Sequence, residues 1–177
     1  MDILPDRKML RLKGFDYSNY VSYFVTICSH ERKFIFGDVT DGNMILNQLG
    51  QTVFSELENL HSHYDSVEIE NFVVMPNHIH ILLSIISQDL IALENEEIPL
   101  PNNISLPQII RHYKAGVSRN IRKYRPDSKI WQKSYHDRIV RNEFEYETFY
   151  KYIIANPAVW DKDCHNPISM DYNKWSL

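Results

Sequence analysis

The chain has 177 residues, 44% of them hydrophobic and 12% aromatic, with two cysteines and a formal net charge of −4. That length supports one domain with a sizeable core, and the aromatic content excludes a disordered chain. Cys28 and Cys164 make neither a disulfide framework nor a zinc-ribbon spacing. With no leader pattern in MDILPDRKMLRLKG and no run near the roughly 18 apolar residues of a membrane span, free thiols in a cytoplasmic protein are expected.

Along the chain, YFVTIC (23–28) is aromatic and β-branched and predicts a strand, with RKFIF (32–36) pairing with it or covering its end. Leu46, Leu49, Val53, Leu57 and Leu60 step at helical spacing and predict an amphipathic helix despite Gly50. Residues 67–75 and 78–85 read as two strands broken by a bend at Pro76-Asn77, since proline is disfavoured inside a sheet. The acidic, proline-bearing stretch 87–104 is the expected loop insertion.

Leu106, Ile109, Ile110, Tyr113, Val117, Ile121 and Tyr124 then form a second helical stripe. Between 105 and 142 the chain carries ten Lys or Arg against two acids, a local +8, while the remainder is −12. Such asymmetry marks either a polyanion-facing surface or a solvated basic helix face. HDRIV (136–140) predicts a short strand, and Asn142 with Glu145 resembles a capping box opening a helix that Pro157 closes near Asn156. The order β-α-β-β-α-β plus a last helix predicts an α+β, ferredoxin-like split βαβ fold. It would be a single domain over 1–177 with an antiparallel sheet, helices on one face and a tail from 158.

His78 and His80 interrupt the apolar strand NFVVMPNHIHILL two positions apart. Alternation places both on one face, about 7 Å apart at Cβ, with Ile79 turned into the core. Two neutral imidazoles so placed can converge on one divalent metal, although a bare His-x-His equally fits two hydrogen-bonded or exposed histidines. In the last helix, Tyr146, Phe149, Tyr150 and Ile153 make the core stripe, which leaves Tyr152 and Asn156 stacked one turn apart on another face. A phenol can serve as nucleophile and an amide oxygen as ligand, and ordinary helix packing explains the pair as well.

VVMPNHIHILL resembles the His-hydrophobic-His (HUH) motif of single-tyrosine transposases, and YKYIIANP resembles their tyrosine helix. With RLKGFDYSNYVSYFVTICSHERKFIFG and IWQKSYHDRIVRNEFEYETFYKYIIANPAVW, the likeness runs from about residue 7 to 167 and is strongest to the REP-associated tyrosine transposases. The resemblance implies single-stranded DNA cleavage and rejoining. His78, His80 and Asn156 would hold Mg²⁺ or Mn²⁺. Tyr152, favoured over Tyr135 in WQKSYHD, would form a 5′-phosphotyrosine and free a 3′-OH. No P-loop is needed or present. Arg111, Lys114, Arg119, Arg122 and Lys123 would then face the phosphates of single-stranded or hairpin DNA, with Lys8, Arg11 and Lys13 adding to the DNA surface. Trp131 is expected to be buried rather than stacked on a base, and His61 and His63 to lie on the surface. The chain would act as a monomer or homodimer. The alternatives are a replication-type HUH nickase, and a DNA-binding repressor without catalysis.

Overall fold

A computed structural model describes residues 21–85 and 104–166. Four strands, β1 (Val21–Cys28), β4 (Val67–Val74), β5 (His78–Ile85) and β6 (His136–Ile139), make one antiparallel sheet in the order β4-β5-β1-β6. This is the ferredoxin-like strand order that the split βαβ pattern predicts. Helices α1 (Gln48–Glu58) and α2 (Leu106–Arg122) cover one face. Tyr23, Val25 and Ile27 of β1 and Ile79, Ile81, Leu83 and Ile85 of β5 enter one core cluster with their apolar stripes.

The other face meets α3 (Glu143–Ala155). Phe24 stacks on Phe149 with centroids 4.4 Å apart, and the Asn71 side chain donates to the Tyr150 carbonyl at 3.4 Å. Covered on both faces, β5 is buried at all eight positions. That is why HIHILLSI reads as a near-continuous apolar run rather than an alternating one.

Local signals account for the boundaries. Asn47 caps α1, its Oδ1 accepting from Leu49 and Gly50 N–H at 2.9 and 3.1 Å. Gln108 Oε1 accepts from the Ser105 N–H at the start of α2, and Asn142 Oδ1 accepts from the Glu145 N–H at the start of α3. Leu46 and Leu60, which share the spacing of the first helix, fall just outside it in a strand and a 3₁₀ turn.

Between β1 and α1 runs a small hairpin, β2 (Gly37–Thr40) with β3 (Asn43–Leu46), that the strand patterns do not predict. Its two-residue turn is Asp41-Gly42, both at positive φ, and Asp-Gly is a strong hairpin signal. RKFIF forms no strand. It covers the 76–77 bend, where the Ile35 and Phe36 N–H groups both donate to the Pro76 carbonyl. The predicted 87–104 loop lies outside the described residues apart from Ile104. Residues 157–166, expected mostly as tail, are built into the fold as a 3₁₀ turn (Pro157–Lys162) followed by Asp163–Asn166.

Candidate metal and tyrosine site

The 76–77 bend restarts the ladder so that His78 lies opposite Cys28 and His80 opposite Thr26, both facing α3. The residues are 0% and 2% exposed. Their Nε2 atoms stand 3.0 Å apart. Two donors each 2.0–2.1 Å from one ion in octahedral coordination are about 3 Å apart, so the spacing suits a shared ion.

The outer nitrogens are held by neighbours. Asn77 Nδ2 donates to the carbonyls of Arg32 (3.2 Å) and His165 (2.8 Å), which turns Oδ1 toward His78 Nδ1 at 2.8 Å. The proton of His78 is therefore on Nδ1, and its Nε2 lone pair faces His80. Thr26 Oγ1 lies 2.8 Å from His80 Nδ1. A hydroxyl can donate or accept. Without an ion, Thr26 donates and His80 Nε2–H bonds to His78. With an ion held between them, Thr26 would accept from His80 Nδ1–H and both Nε2 lone pairs would be free to ligate. Burial, first, and then the neighbouring imidazoles push the pKa of each ring well below the ordinary histidine range, so both stay neutral, the form that ligates.

Tyr152 projects from the last turn of α3. Its hydroxyl is 3.4 Å from His80 Nε2 and 3.5 Å from Asp163 Oδ2, and the residue is 37% exposed, at the rim of the site. Burial and then the Asp163 carboxylate push its pKa up to about 12. Asn156, which caps the same helix, is fully buried. Its Nδ2 donates to Asp163 Oδ2 at 3.1 Å, and its Oδ1 is buried with no hydrogen-bond partner. An orphaned buried carbonyl costs on the order of 1–3 kcal/mol. It is an acceptor of the kind a hard cation takes, although the amide turns its Nδ2 rather than its Oδ1 toward Asp163. The two neutral imidazoles and the Asp163 carboxylate are the ligand atoms that lie together and fit a divalent ion.

Asp163 is the residue of this cluster that the sequence patterns do not reveal. It is 6% exposed, and its carboxylate and the ligand atoms of His78 and His80 all lie within 4.8 Å of one another. The density of ligand types in DKDCH (161–165), just after the tyrosine helix, is the signal that could have found it. Tyr135, the rival tyrosine, is half-buried against the core.

The basic residues separate by position. Arg111, Arg119, Arg122 and Lys123 lie on the exposed side of α2 or at its end, on the sheet face opposite the histidines. Lys114 is different: it is half-buried, its Nζ donates to the Gln132 carbonyl at 2.7 Å, and burial lowers its pKa. In return Trp131 Nε1–H donates to the Lys114 carbonyl at 3.2 Å. Trp131 thus packs as a brace against Phe36 and Tyr113. An open groove lined by Lys114, Ser118, Arg119, Arg122, Trp131 and Lys133 runs here. The backbone of Trp131, which lines it, bridges to Ser29 just past the end of β1. Lys8, Arg11 and Lys13 lie outside the described residues. His61 and His63 are exposed, as expected.

The architecture is that of a known class. A solved structure of a REP-associated tyrosine transposase bound to a REP hairpin superposes with a TM-score of 0.57 at 17% identity, covering 84% of this chain and 73% of that one, so the two share a fold. An uncharacterized protein from Haemophilus influenzae is 35% identical over 164 residues, 89% of this chain and 91% of its own, and the chain belongs to one family with it. No family model matches. Among the described residues no helix is long and apolar enough to cross a membrane.

Proposed function

We propose that this protein is a REP-associated-type, single-tyrosine HUH transposase that cleaves and rejoins single-stranded or hairpin-associated DNA in the cytoplasm. The observation that carries the reading is the Tyr152 hydroxyl 3.4 Å from His80 Nε2, with His78 Nε2 a further 3.0 Å away, all in one chain. A monomer therefore has the parts of one site.

His78, His80 and Asn156 Oδ1 would hold Mg²⁺ or Mn²⁺, with Asp163 as an added or alternative ligand. A divalent ion there would polarise the scissile phosphate and offset charge developing on it. Tyr152 Oη attacks phosphorus and the bond to the 3′ oxygen breaks. The tyrosine keeps a 5′-phosphate link, and the leaving oxygen takes up a proton as a free 3′-OH. Asp163 Oδ2 is placed to accept the phenolic proton, which a phenol with its pKa near 12 does not shed unaided. Asp163 also holds the Asn156 amide so that Oδ1 stays turned away from the carboxylate. Attack of the 3′-OH on the phosphotyrosine reverses the step and reseals the strand, so no nucleotide is consumed. Arg119, Arg122 and Lys133 would take backbone phosphates of the DNA, with Arg111 and Lys123 further along the helix.

Hairpin oligonucleotides with single-stranded flanks, incubated with the protein and Mg²⁺ or Mn²⁺, are expected to be nicked in the flank, and EDTA is expected to stop the reaction. Binding without cleavage under every metal condition would favour the repressor alternative.

A further inference from the structure

Three ligand types converge a second time beside the site. Asp163, Cys164 and His165 offer a carboxylate oxygen, a thiol sulfur and an imidazole nitrogen that all lie within 4.8 Å of one another. We propose that these three residues form a separate site for a thiophilic divalent cation such as Zn²⁺ or Cd²⁺, sharing only the Asp163 carboxylate with the His78–His80 pair.

The segment is fixed rather than loose. Asp163 N–H donates to the Trp160 carbonyl at 3.1 Å, and Asn166 Nδ2 donates to the same carbonyl at 3.0 Å. The His165 carbonyl accepts from Asn77 at 2.8 Å, and its N–H donates to Asp163 Oδ1 at 2.6 Å. Held so, the His165 ring lies with its centroid 4.5 Å from that of His78 and keeps its Nδ1 buried with no hydrogen-bond partner. Buried polar atoms are almost always paired, so a ring that keeps one nitrogen orphaned and offers a ligand atom within 4.8 Å of a thiol and a carboxylate has the character of a ligand. Cys164 is exposed, giving an ion a route in.

Ligand chemistry separates the two sites. A thiolate selects Zn²⁺ and its softer neighbours, and rejects Mg²⁺, which prefers oxygen. Binding replaces the thiol proton with the metal and releases that proton to solvent. An ion held at Cys164 and His165 also draws on the carboxylate that faces Tyr152 and Asn156. Thiophilic metal would then inhibit strand cleavage, a consequence that rests on the function proposed above, whereas the site itself does not.

Cd²⁺ added to the full chain in excess Mg²⁺ tests the site through the ultraviolet charge-transfer band of a cadmium thiolate. The wild-type protein is expected to give a saturating band, and Cys164→Ser, at an exposed position, is expected to abolish it while keeping the far-ultraviolet spectrum. A wild type with no band, or a variant that keeps it through Cys28, overturns the assignment. The readout needs no DNA, so it stands or falls apart from the transposase reading.

Discussion

Asn77 decides which nitrogen of His78 faces the second imidazole, because two backbone carbonyls take its amide and leave only its oxygen for the ring. Thr26 does the corresponding work for His80, with a hydroxyl that can reverse its role. Partners of this kind commonly set metal affinity by 10- to 100-fold. Thr26→Val keeps the shape and removes the hydrogen bond. Titration calorimetry is expected to show Mn²⁺ binding about 10-fold or more weaker, with the fold intact by circular dichroism. Unchanged affinity would mean that the ring needs no such support. From the sequence, the two histidines, the tyrosine and the amide are legible because strand and helix periods put each pair on one face. The acidic group is not, since Asp163 follows the helix in irregular chain, where no period says which way a side chain turns.

At the scale of elements, α1 shows how propensity yields to packing. Gly50 lies inside the helix, where alanine is ordinarily better by about 1 kcal/mol. Here a Cβ would come within 2.0 Å of the Phe36 carbonyl oxygen, because the chain that covers the 76–77 bend passes directly against the helix. Gly50→Ala is therefore expected to destabilise the protein by about 1–3 kcal/mol in urea unfolding. A stabilised variant would show that this chain can move aside freely. The long strands and the three α-helices of the described residues are legible because their apolar periods are sustained and their caps are strong. The β2–β3 hairpin is not, since four-residue strands are too short to show a period, although Asp41-Gly42 announces the turn. The 3₁₀ turn after α3 is hidden too. Pro157 does disfavour continuing the helix, but only tertiary packing folds the next ten residues back onto the sheet, with Trp160 within 5.9 Å of His78 and Asn77 reaching His165.

Over the whole molecule, the sheet separates two groups of residues. One face carries the histidines and the tyrosine helix. The other carries α2, whose exposed cations belong to the +8 region between 105 and 142. Replacing Arg119 and Arg122 with alanine is expected to weaken hairpin binding about equally for all flanking sequences. It should also lower the slope of log affinity against log salt by roughly 1 for each phosphate that is no longer neutralised, measured by fluorescence anisotropy. A sequence-selective weakening with an unchanged slope would place base recognition there instead. The most direct test of the account is transfer of label to protein. A hairpin oligonucleotide labelled on the 3′ side of the nick, incubated with Mn²⁺, is predicted to leave its label covalently on the wild-type chain and on Tyr135→Phe. No label is predicted on Tyr152→Phe, or on the wild type in EDTA. An adduct that survives Tyr152→Phe, or one that carries the 5′ side of the nick, would contradict it.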